Sequence, residues 1–263
     1  MGSLQDSVVI VTGAGSGMGR AIAVGMATEG ATLGLVARTK EPLEETAALA
    51  RAKGVEALVF PGDVSDAGCA KRVVAGVLER FGKVDVLVNN AGTNTFHRNV
   101  SDTSIADWRR VVETNLTGAF LFTRQVLPIM RKAGKGQIIN ISSGAGLAPS
   151  APSGVAYSAS KHALQSLTGS INLEERRHGI KACAIAPGET ATPNLGLRPR
   201  PPAKADLAKM LTPEDIANAV IYVASQPAHV SVELVVINPT VRRDYHADFE
   251  RYVAEGHTDV TPD

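Results

Sequence analysis

The chain has 263 residues and 44% of them are hydrophobic, so it can bury a sizeable core and is not disordered overall. Lys and Arg number 27 against 26 Asp and Glu, and this balance gives no reason to expect a nucleic-acid or membrane-surface partner. The apolar runs are too short to cross a bilayer, and no basic region precedes the first of them, so we expect no signal peptide. Two distant cysteines, Cys69 and Cys183, predict free thiols in a reducing, cytoplasmic compartment.

Short β-rich runs alternate along the chain with longer segments of helical character. The predicted strands are 7–13, 31–37, 55–60, 83–92, 136–143, 180–188 and 233–238. The predicted helices are 17–29, 41–54, 66–82, 105–132 and about 155–178. Strands separated by helix-length segments imply right-handed crossovers, so we predict an α/β fold in which a doubly wound parallel sheet of about seven strands forms the middle of three α/β/α layers.

We expect the chain to form one domain over 1–263, with two segments that stand apart in composition. The stretch at about 193–210 is rich in proline, which favours a loop followed by a short helix. It follows the sixth strand, where ligand-binding loops gather in such sheets, so we expect it to contact the substrate. The polar residues at about 239–263 form a C-terminal arm or tail.

The first strand and first helix are joined by TGAGSGMG at 12–19, which also includes Ser16 and Met18. Gly13, Gly17 and Gly19 allow a tight turn and bring backbone N–H groups close to a pyrophosphate at the helix N-terminus. The spacing is G-x-x-x-G-x-G, and such a loop can be a simple turn. Its position at the first strand–helix junction of a doubly wound sheet favours dinucleotide binding.

The residue that follows the second strand indicates which dinucleotide is preferred. NAD sites place an acid there for the ribose 2′-hydroxyl, whereas here Ala37 is followed by Arg38 and no acid occurs before Glu41. A guanidinium can hold a 2′-phosphate through two hydrogen bonds. We therefore predict that NADP(H) is preferred, with NAD(H) possible.

The stretch YSASK at 157–161 opens the helix at about 155–178 and places Tyr157 and Lys161 one turn apart on the same face. An incidental pair on a helix surface would have the same spacing. A second alternative, a serine hydrolase, is not favoured because no G-x-S-x-G nucleophile elbow opens a helix. No group of His, Cys, Asp and Glu has the spacing of a metal site.

With these features the chain resembles the short-chain dehydrogenase/reductase family, over about residues 7–238. Seven motifs occur in the family's order: TGAGSGMG at 12–19, Asp63-Val64, NNAG at 89–92, Asn115, INISS at 139–143, YSASK at 157–161 and PGETAT at 187–192. The resemblance implies a catalytic group of Asn115, Ser143, Tyr157 and Lys161. It also implies that the adenine is bound by Asp63 and Val64, the inner ribose by Asn90, Ala91 and Gly92, and the nicotinamide end by Pro187, Gly188, Thr190 and Thr192.

The implied chemistry is hydride transfer between NADP(H) and a carbonyl or secondary alcohol, with Tyr157 as general acid or base. A free phenol has a pKa of about 10, and we expect Lys161 and the oxidised nicotinamide ring to lower the pKa of Tyr157. Ser143 would donate to the substrate oxygen and Asn115 would position a water that links Lys161 to solvent. Ser142 remains an alternative to Ser143, which the family pattern favours because Gly146 follows it three residues later.

Two features depart from the family pattern. Asn238-Pro239-Thr240 stands where Asp-Gly-Gly is usual, and Glu189 stands where an apolar residue is usual. Farther along the chain from NNAG, His97 is a candidate for substrate contact. Trp108, Phe120 and Phe122 are expected in the core or a subunit interface.

These features together predict an NADP-dependent alcohol dehydrogenase or carbonyl reductase that acts on a small molecule as a homotetramer or dimer. Two alternatives stay open: an NAD-dependent alcohol or hydroxy-acid dehydrogenase on the same fold, and a non-catalytic NADP-sensing regulator.

Overall fold

A computed structural model describes residues 2–150, 152–198 and 201–241 of the chain. Seven parallel strands form a single sheet in the order β3-β2-β1-β4-β5-β6-β7. The strands are β1 Val8–Thr12, β2 Thr32–Ala37, β3 Ala57–Pro61, β4 Val86–Asn89, β5 Gly136–Ile141, β6 Ile180–Pro187 and β7 Leu234–Ile237. The predicted α/β fold and its doubly wound parallel sheet are confirmed.

Consecutive residues of a strand point to opposite faces of the sheet, and here both faces are apolar. Helices therefore cover both faces. The larger helices are α1 Gly17–Thr28, α2 Lys40–Arg51, α3 Ala67–Phe81, α4 Ile105–Val112, α5 Gly118–Ala133, α6 Val155–Glu175 and, after the short α7 Lys204–Leu207, α8 Pro213–Ala224. In β1, Val9 and Val11 join a core with α1, α2 and α8. Val8 and Ile10 join a second core with α3, α5 and α6.

The order of the strands reverses between β1 and β4, which are neighbours in the sheet although they are far apart in the chain. A crevice opens at such a switch point, outside the carboxyl ends of the strands. The loops that follow β1, β4, β5 and β6 therefore meet at one edge of the sheet, and these loops contain most of the predicted site residues.

Two local elements differ from the prediction. The predicted helix at 105–132 is interrupted by a π-helical turn, Glu113–Thr117, between α4 and α5. Helix α8 was not predicted at all, although its N-terminus has a clear signal: Thr212 and Asp215 form a capping box, and Pro213 occupies the first turn. Propensity alone does not indicate the π turn, because it depends on contacts made by Asn115 elsewhere in the fold.

The proline-rich loop contains a short 3₁₀ helix, Pro193–Leu197, and the single turn α7. Its base is closed by a parallel bridge between Thr190 and Leu211. Most of the predicted C-terminal arm, residues 242–263, lies outside the described residues.

Cys69 and Cys183 are both buried free thiols, as expected. Phe122 is fully buried, whereas Trp108 and Phe120 are 37% and 46% exposed. In the described part of the chain, no helix combines the length and apolar character needed to span a membrane.

Candidate active site

The glycine loop packs so closely against the end of β4 that a side chain would not fit at Gly13 or Gly19. Gly13 and Gly17 have φ values of 67° and 51°, which strongly favour glycine. A Cβ on Gly19 would lie 2.1 Å from the carbonyl oxygen of Gly13. The loop therefore turns back over the N-terminus of α1 with its backbone exposed to the crevice.

Asn90 fastens this loop to the sheet. Its Nδ2 donates to the carbonyl oxygens of Thr12, at 2.9 Å, and Gly13, at 3.2 Å. The Thr12 hydroxyl in turn accepts from the backbone N–H groups of Asn90 and Ala91, at 3.0 and 3.1 Å. The end of β1 and the end of β4 are thus held together on either side of the crevice.

The crevice forms a long groove whose walls include fourteen of the predicted cofactor residues: Gly13, Ser16, Gly17, Met18, Gly19, Arg38, Asp63, Val64, Asn90, Ala91, Gly92, Tyr157, Lys161 and Thr192. The other three, Pro187, Gly188 and Thr190, line the adjoining cavity. Thr93 and Thr114 also line the groove and were not predicted. They stand in the turns next to NNAG and Asn115, so closeness to these motifs is the signal that could have found them.

At the outer end of the groove, two arginines have different surroundings. Arg20 is engaged within the protein, since it donates to the carbonyl oxygens of Gly15 and Pro42 and pairs with Glu45. Arg38 is exposed and lines the groove. Its side chain is therefore accessible from the groove.

Asp63 stands at the same end of the groove. It accepts from the backbone and hydroxyl of Ser65, at 2.9 and 2.7 Å. These hydrogen bonds, with a smaller effect from Arg38, hold the pKa of Asp63 below its usual value. The carboxylate is thus ionised and fixed by its own turn, while Val64 beside it is buried.

The structure separates the two serines at the end of β5. Ser142 is buried and its hydroxyl donates to the backbone oxygen of Lys161 at 3.2 Å, so its donor is used within the fold. Ser143 lines the adjoining cavity and its hydroxyl accepts from the backbone N–H of Ala145 at 3.1 Å. Ser143 thus faces the cavity and forms a side-chain hydrogen bond with Tyr157, whereas Ser142 is bonded within the fold, which favours Ser143 over Ser142.

Asn115 is buried in the π turn, and its amide joins three segments. Oδ1 accepts from the backbone N–H of Thr93 at 2.7 Å, and Nδ2 donates to the Thr93 oxygen at 3.0 Å and to Ser160 Oγ at 3.1 Å. Both amide hydrogens are thus used within the protein. A π turn that carries such a residue is a frequent feature of functional sites.

Tyr157 and Lys161 lie on one face of α6, as predicted. Lys161 Nζ is 5.6 Å from the centre of the Tyr157 ring and donates to the carbonyl oxygen of Ile141 at 2.7 Å. Lys161 is only 3% exposed, and burial lowers its pKa to about 8. Its ammonium faces the groove wall and the end of β5.

The protein raises the pKa of Tyr157, whereas we predicted that it would be lowered. Tyr157 is partly exposed where the two cavities meet, but protein atoms surround the phenol closely enough that desolvation raises its pKa. Interaction with Ser143 and the charges of Arg198 and Arg98 lower the pKa and offset part of this effect. Neither of the two arginines that lower the pKa of Tyr157 through their charge was predicted from the sequence.

A second cavity adjoins the groove, and Tyr157 lies where the two meet. The residues that line both are Met18, Thr93, Ser142, Tyr157 and Thr192. The second cavity is enclosed by the loops after β4, β5 and β6 and also contains Asn238 and Pro239, the unusual C-terminal pair. His97 lies outside both cavities, whereas the next residue, Arg98, lines the second one.

The residues present fit a dinucleotide. Ser16 makes no side-chain capping bond to α1, which leaves the first N–H groups of the helix to a ligand. The glycine backbone and Arg38 provide donors at one end, and Lys161 and Tyr157 lie at the other. Among the described residues, no cluster of three or more His, Cys, Asp or Glu could hold a metal ion.

A family model described as short chain dehydrogenase matches residues 7–200. The chain belongs to this family. Among its relatives, this short-chain dehydrogenase is 36% identical over 239 residues to the levodione reductase of Leifsonia aquatica, a match that covers 90% of the chain and 82% of the relative. It is 36% identical over 243 residues to the glycine betaine reductase ATRR of Emericella nidulans, a match that covers 90% of the chain and 19% of that much longer protein.

One of its structural relatives is a metagenomic short-chain oxidoreductase crystallised in complex with NADP. The two are 34% identical with a TM-score of 0.79, and the match covers 91% of this chain and 100% of the other.

The closeness of the glycine loop can be tested with Gly19→Ala. The added Cβ would lie 2.1 Å from the Gly13 oxygen and 2.5 Å from Asn90 Nδ2, so the loop must move away from β4. We expect the Kd for NADPH, measured by calorimetry, to rise at least about tenfold. Gly169→Ala is the control, because Gly169 is exposed on α6 with nothing within 4 Å of the added carbon. Equal binding by both variants would show that the packing of the loop does not matter.

Proposed function

We propose that this short-chain dehydrogenase is an NADP-dependent alcohol dehydrogenase or carbonyl reductase. The observation that carries the proposal is the position of Tyr157 at the junction of the two cavities. A hydroxyl at that point can reach a ligand oxygen in one cavity while a dinucleotide occupies the other. General acid–base catalysis needs a proton donor within hydrogen-bond reach of the reacting oxygen.

When bound, the dinucleotide would donate a hydride to the substrate carbonyl or accept one from the alcohol, and its oxidised ring would bring a positive charge. The glycine loop and the N-terminus of α1 would hold the pyrophosphate, and Val64 would pack on the adenine. Arg38 supports NADP over NAD because it lines the groove next to β2, and the NADP held by the metagenomic relative agrees with this preference.

In the direction of reduction, Tyr157 would donate its proton to the substrate oxygen while Ser143 donates a hydrogen bond to the same oxygen. In oxidation the phenolate would take the proton back. The phenolate must be stabilised against desolvation, and Arg198 and Arg98 act in that direction.

Lys161 and Asn115 would support this group. With a pKa of about 8, Lys161 can accept or release a proton near neutral pH. Asn115 would act mainly as a positioning residue, because its amide hydrogens are bonded to Thr93 and Ser160. The water that was predicted to link Lys161 to solvent would therefore have to donate to Asn115 Oδ1 or be bound by another group of the π turn.

Replacing Tyr157 tests the proton transfer. We expect Tyr157→Phe to bind NADPH within about twofold of the wild-type affinity and to lose roughly 10²- to 10⁴-fold in kcat, since the ring remains and only the proton donor is removed. NADPH loss at 340 nm against a panel of ketones, quinones and sugars measures the effect. Tyr222→Phe is the control, because Tyr222 is 54% exposed on α8. Substantial turnover by Tyr157→Phe would remove this residue from the mechanism.

The same panel of carbonyl compounds distinguishes an enzyme from a non-catalytic NADP-sensing regulator. A regulator would bind NADPH but would oxidise no NADPH with any of the compounds. Tyr157 lies between Lys161 in the groove and Ser143 in the second cavity, and this arrangement favours the enzyme.

Replacing Arg38 tests the cofactor preference and the alternative of an NAD-dependent alcohol or hydroxy-acid dehydrogenase. We expect Arg38→Gln to lower kcat/KM for NADPH about tenfold or more and to leave that for NADH nearly unchanged, because only the 2′-phosphate interaction is lost. Lys40→Gln controls for the loss of a nearby exposed cation outside the groove. A wild-type enzyme that clearly prefers NADH would overturn the assignment.

We also propose that the chain forms a homotetramer or dimer. Strand β7 is the last of the sheet, and Leu234 and Val236 on it are 47% and 48% exposed. An open apolar strand edge is normally covered in a soluble protein. We expect light scattering at micromolar concentration to give the mass of two or four chains, and Val236→Lys to lower it. A monomeric wild type would contradict the proposal. The cytoplasmic location stays a prediction from the sequence.

A further inference from the structure

Helix α6, which carries Tyr157, begins against the loop that follows β4. Gly154 stands just before the helix and makes no side-chain capping bond to it. The backbone oxygen of Arg98 accepts instead from the N–H of Val155, the first residue of the helix, at 2.9 Å. The start of α6 is thus completed by a residue from another loop.

Two side chains of the same loop hold the turn before the helix. Asn94 Nδ2 donates to the carbonyl oxygen of Ser153 at 2.9 Å, and Arg98 Nη1 donates to that of Pro152. With the bond to Val155, the loop after β4 therefore holds both this turn and the first residue of the helix. We call these three hydrogen bonds the α6 clamp.

Gly154 packs directly against Arg98. A Cβ at position 154 would lie 2.5 Å from the Cβ of Arg98 and 2.8 Å from its backbone oxygen. Gly154 also has a φ of 79°, in the left-handed region that favours glycine. Any other residue here would therefore have to move the start of α6 away from the loop.

The loop side of the α6 clamp is itself held in place. Asn94 Oδ1 accepts from the backbone N–H of Thr95 at 2.8 Å, so the oxygen and the nitrogen of this amide are both bonded. The Thr95 carbonyl oxygen accepts from Arg98 Nε at 2.8 Å, and the Thr95 hydroxyl donates to Asp107 on α4 at 2.8 Å. The clamp therefore joins α6 to α4 through side chains that are buried or half-buried.

The other end of the first turn of α6 is held by the π turn. Asn115 Nδ2 donates to Ser160 Oγ at 3.1 Å, and the Ser160 hydroxyl donates to the backbone oxygen of Tyr157 at 2.8 Å. Asn115 also bonds to the N–H and the carbonyl oxygen of Thr93 in the loop after β4. The first turn of α6 is therefore held at both ends, and Tyr157 lies between the two sets of contacts.

We propose that Asn94 and Arg98 are positioning residues for Tyr157, acting through the α6 clamp. The inference rests on the proposed function, since it concerns the proton donor of that reaction. Proton transfer requires the phenol oxygen to be within hydrogen-bond reach of the substrate oxygen, and a misplacement of about 1 Å can lower a rate by about 100-fold. Loosening the clamp should therefore slow proton transfer without weakening the binding of the dinucleotide in the groove.

Gly154→Ala tests the α6 clamp from a position that lines neither cavity. With the carbonyl compound that the wild type reduces fastest, we expect kcat to fall about tenfold or more and Kd for NADPH to stay within about threefold. The solvent deuterium isotope effect on kcat should rise, because proton transfer would limit the rate more strongly. Gly82→Ala is the matched control. Gly82 follows α3 with a similar φ of 74° and has nothing within 4 Å of an added Cβ, so all three values should stay unchanged.

Asn94→Leu tests the same clamp by removing one hydrogen bond, and it is the deciding variant if Gly154→Ala does not fold. We expect kcat to fall about threefold or more, with a rise in the solvent isotope effect. Asn94 lines the second cavity, so the isotope effect rather than KM decides this comparison. Asn218→Leu is the control, because Asn218 is exposed on α8. Arg98 is kept, since replacing it would also remove a charge that lowers the pKa of Tyr157.

Hydrogen exchange measured by mass spectrometry reports on the α6 clamp independently of turnover. In Gly154→Ala and Asn94→Leu we expect the backbone amides of residues 155–161 to exchange about threefold or more faster than in the wild type. Gly82→Ala should leave these rates unchanged. A wild type that reduces no carbonyl would contradict the proposed function, and faster exchange in both variants would then still support the clamp.

Three results would overturn the inference and leave the proposed reductase in place. The first is exchange at residues 155–161 that neither variant accelerates. The second is a kcat within about twofold of the wild-type value in both variants. The third is a rise in Kd for NADPH as large as the fall in kcat, because the effect would then not be confined to proton transfer.

Discussion

Desolvation of one phenol and one ammonium is the constraint on which the site depends. Lys161 is almost fully buried and its pKa falls to about 8, while burial raises the pKa of Tyr157. Both groups are therefore driven toward their neutral forms by the protein around them. A phenolate at this position must be stabilised by nearby positive charge, which the arginines of the cavity wall supply in part and a bound oxidised nicotinamide would increase.

The cations that act on Tyr157 belong to the same loops that enclose the second cavity. Arg98 joins the loop after β4 to the start of α6, because its side chain bonds to Pro152 and its backbone to Val155. A change in this loop would therefore move the helix that carries Tyr157. Arg198 is linked through Glu189 to the end of β6. The loops that enclose the second cavity thus also hold the charges that act on Tyr157.

Much of the fold could be predicted from the local pattern of apolar residues, and the two elements that were not predicted have specific causes. The buried strands read as continuous apolar runs and the helices have apolar stripes, so their order and the parallel sheet could be predicted. The π turn at Glu113–Thr117 could not, because Asn115 bonds to Thr93 and Ser160, which are distant in the chain. Helix α8 could have been predicted, because its capping box is a local signal in the sequence.

The candidate site also has residues whose positions could be predicted from the sequence and residues whose positions could not. Most predicted cofactor residues line the groove because their motifs follow β1 to β6, whose carboxyl ends must meet at one edge. Pro187, Gly188 and Thr190, which lie at the end of β6 and in the loop after it, line the adjoining cavity instead. Arg98 and Arg198 belong to no motif, and a hundred residues of sequence separate two side chains that act on the same phenol.

The sequence by itself determined the family, the parallel sheet and the one-turn spacing of Tyr157 and Lys161, because each depends on neighbouring residues or on apolar periodicity. Only the tertiary structure decided which charges act on the phenol and that burial raises its pKa. The physical reason is that desolvation and Coulomb interaction depend on distance through space, and loops far apart in the chain set those distances.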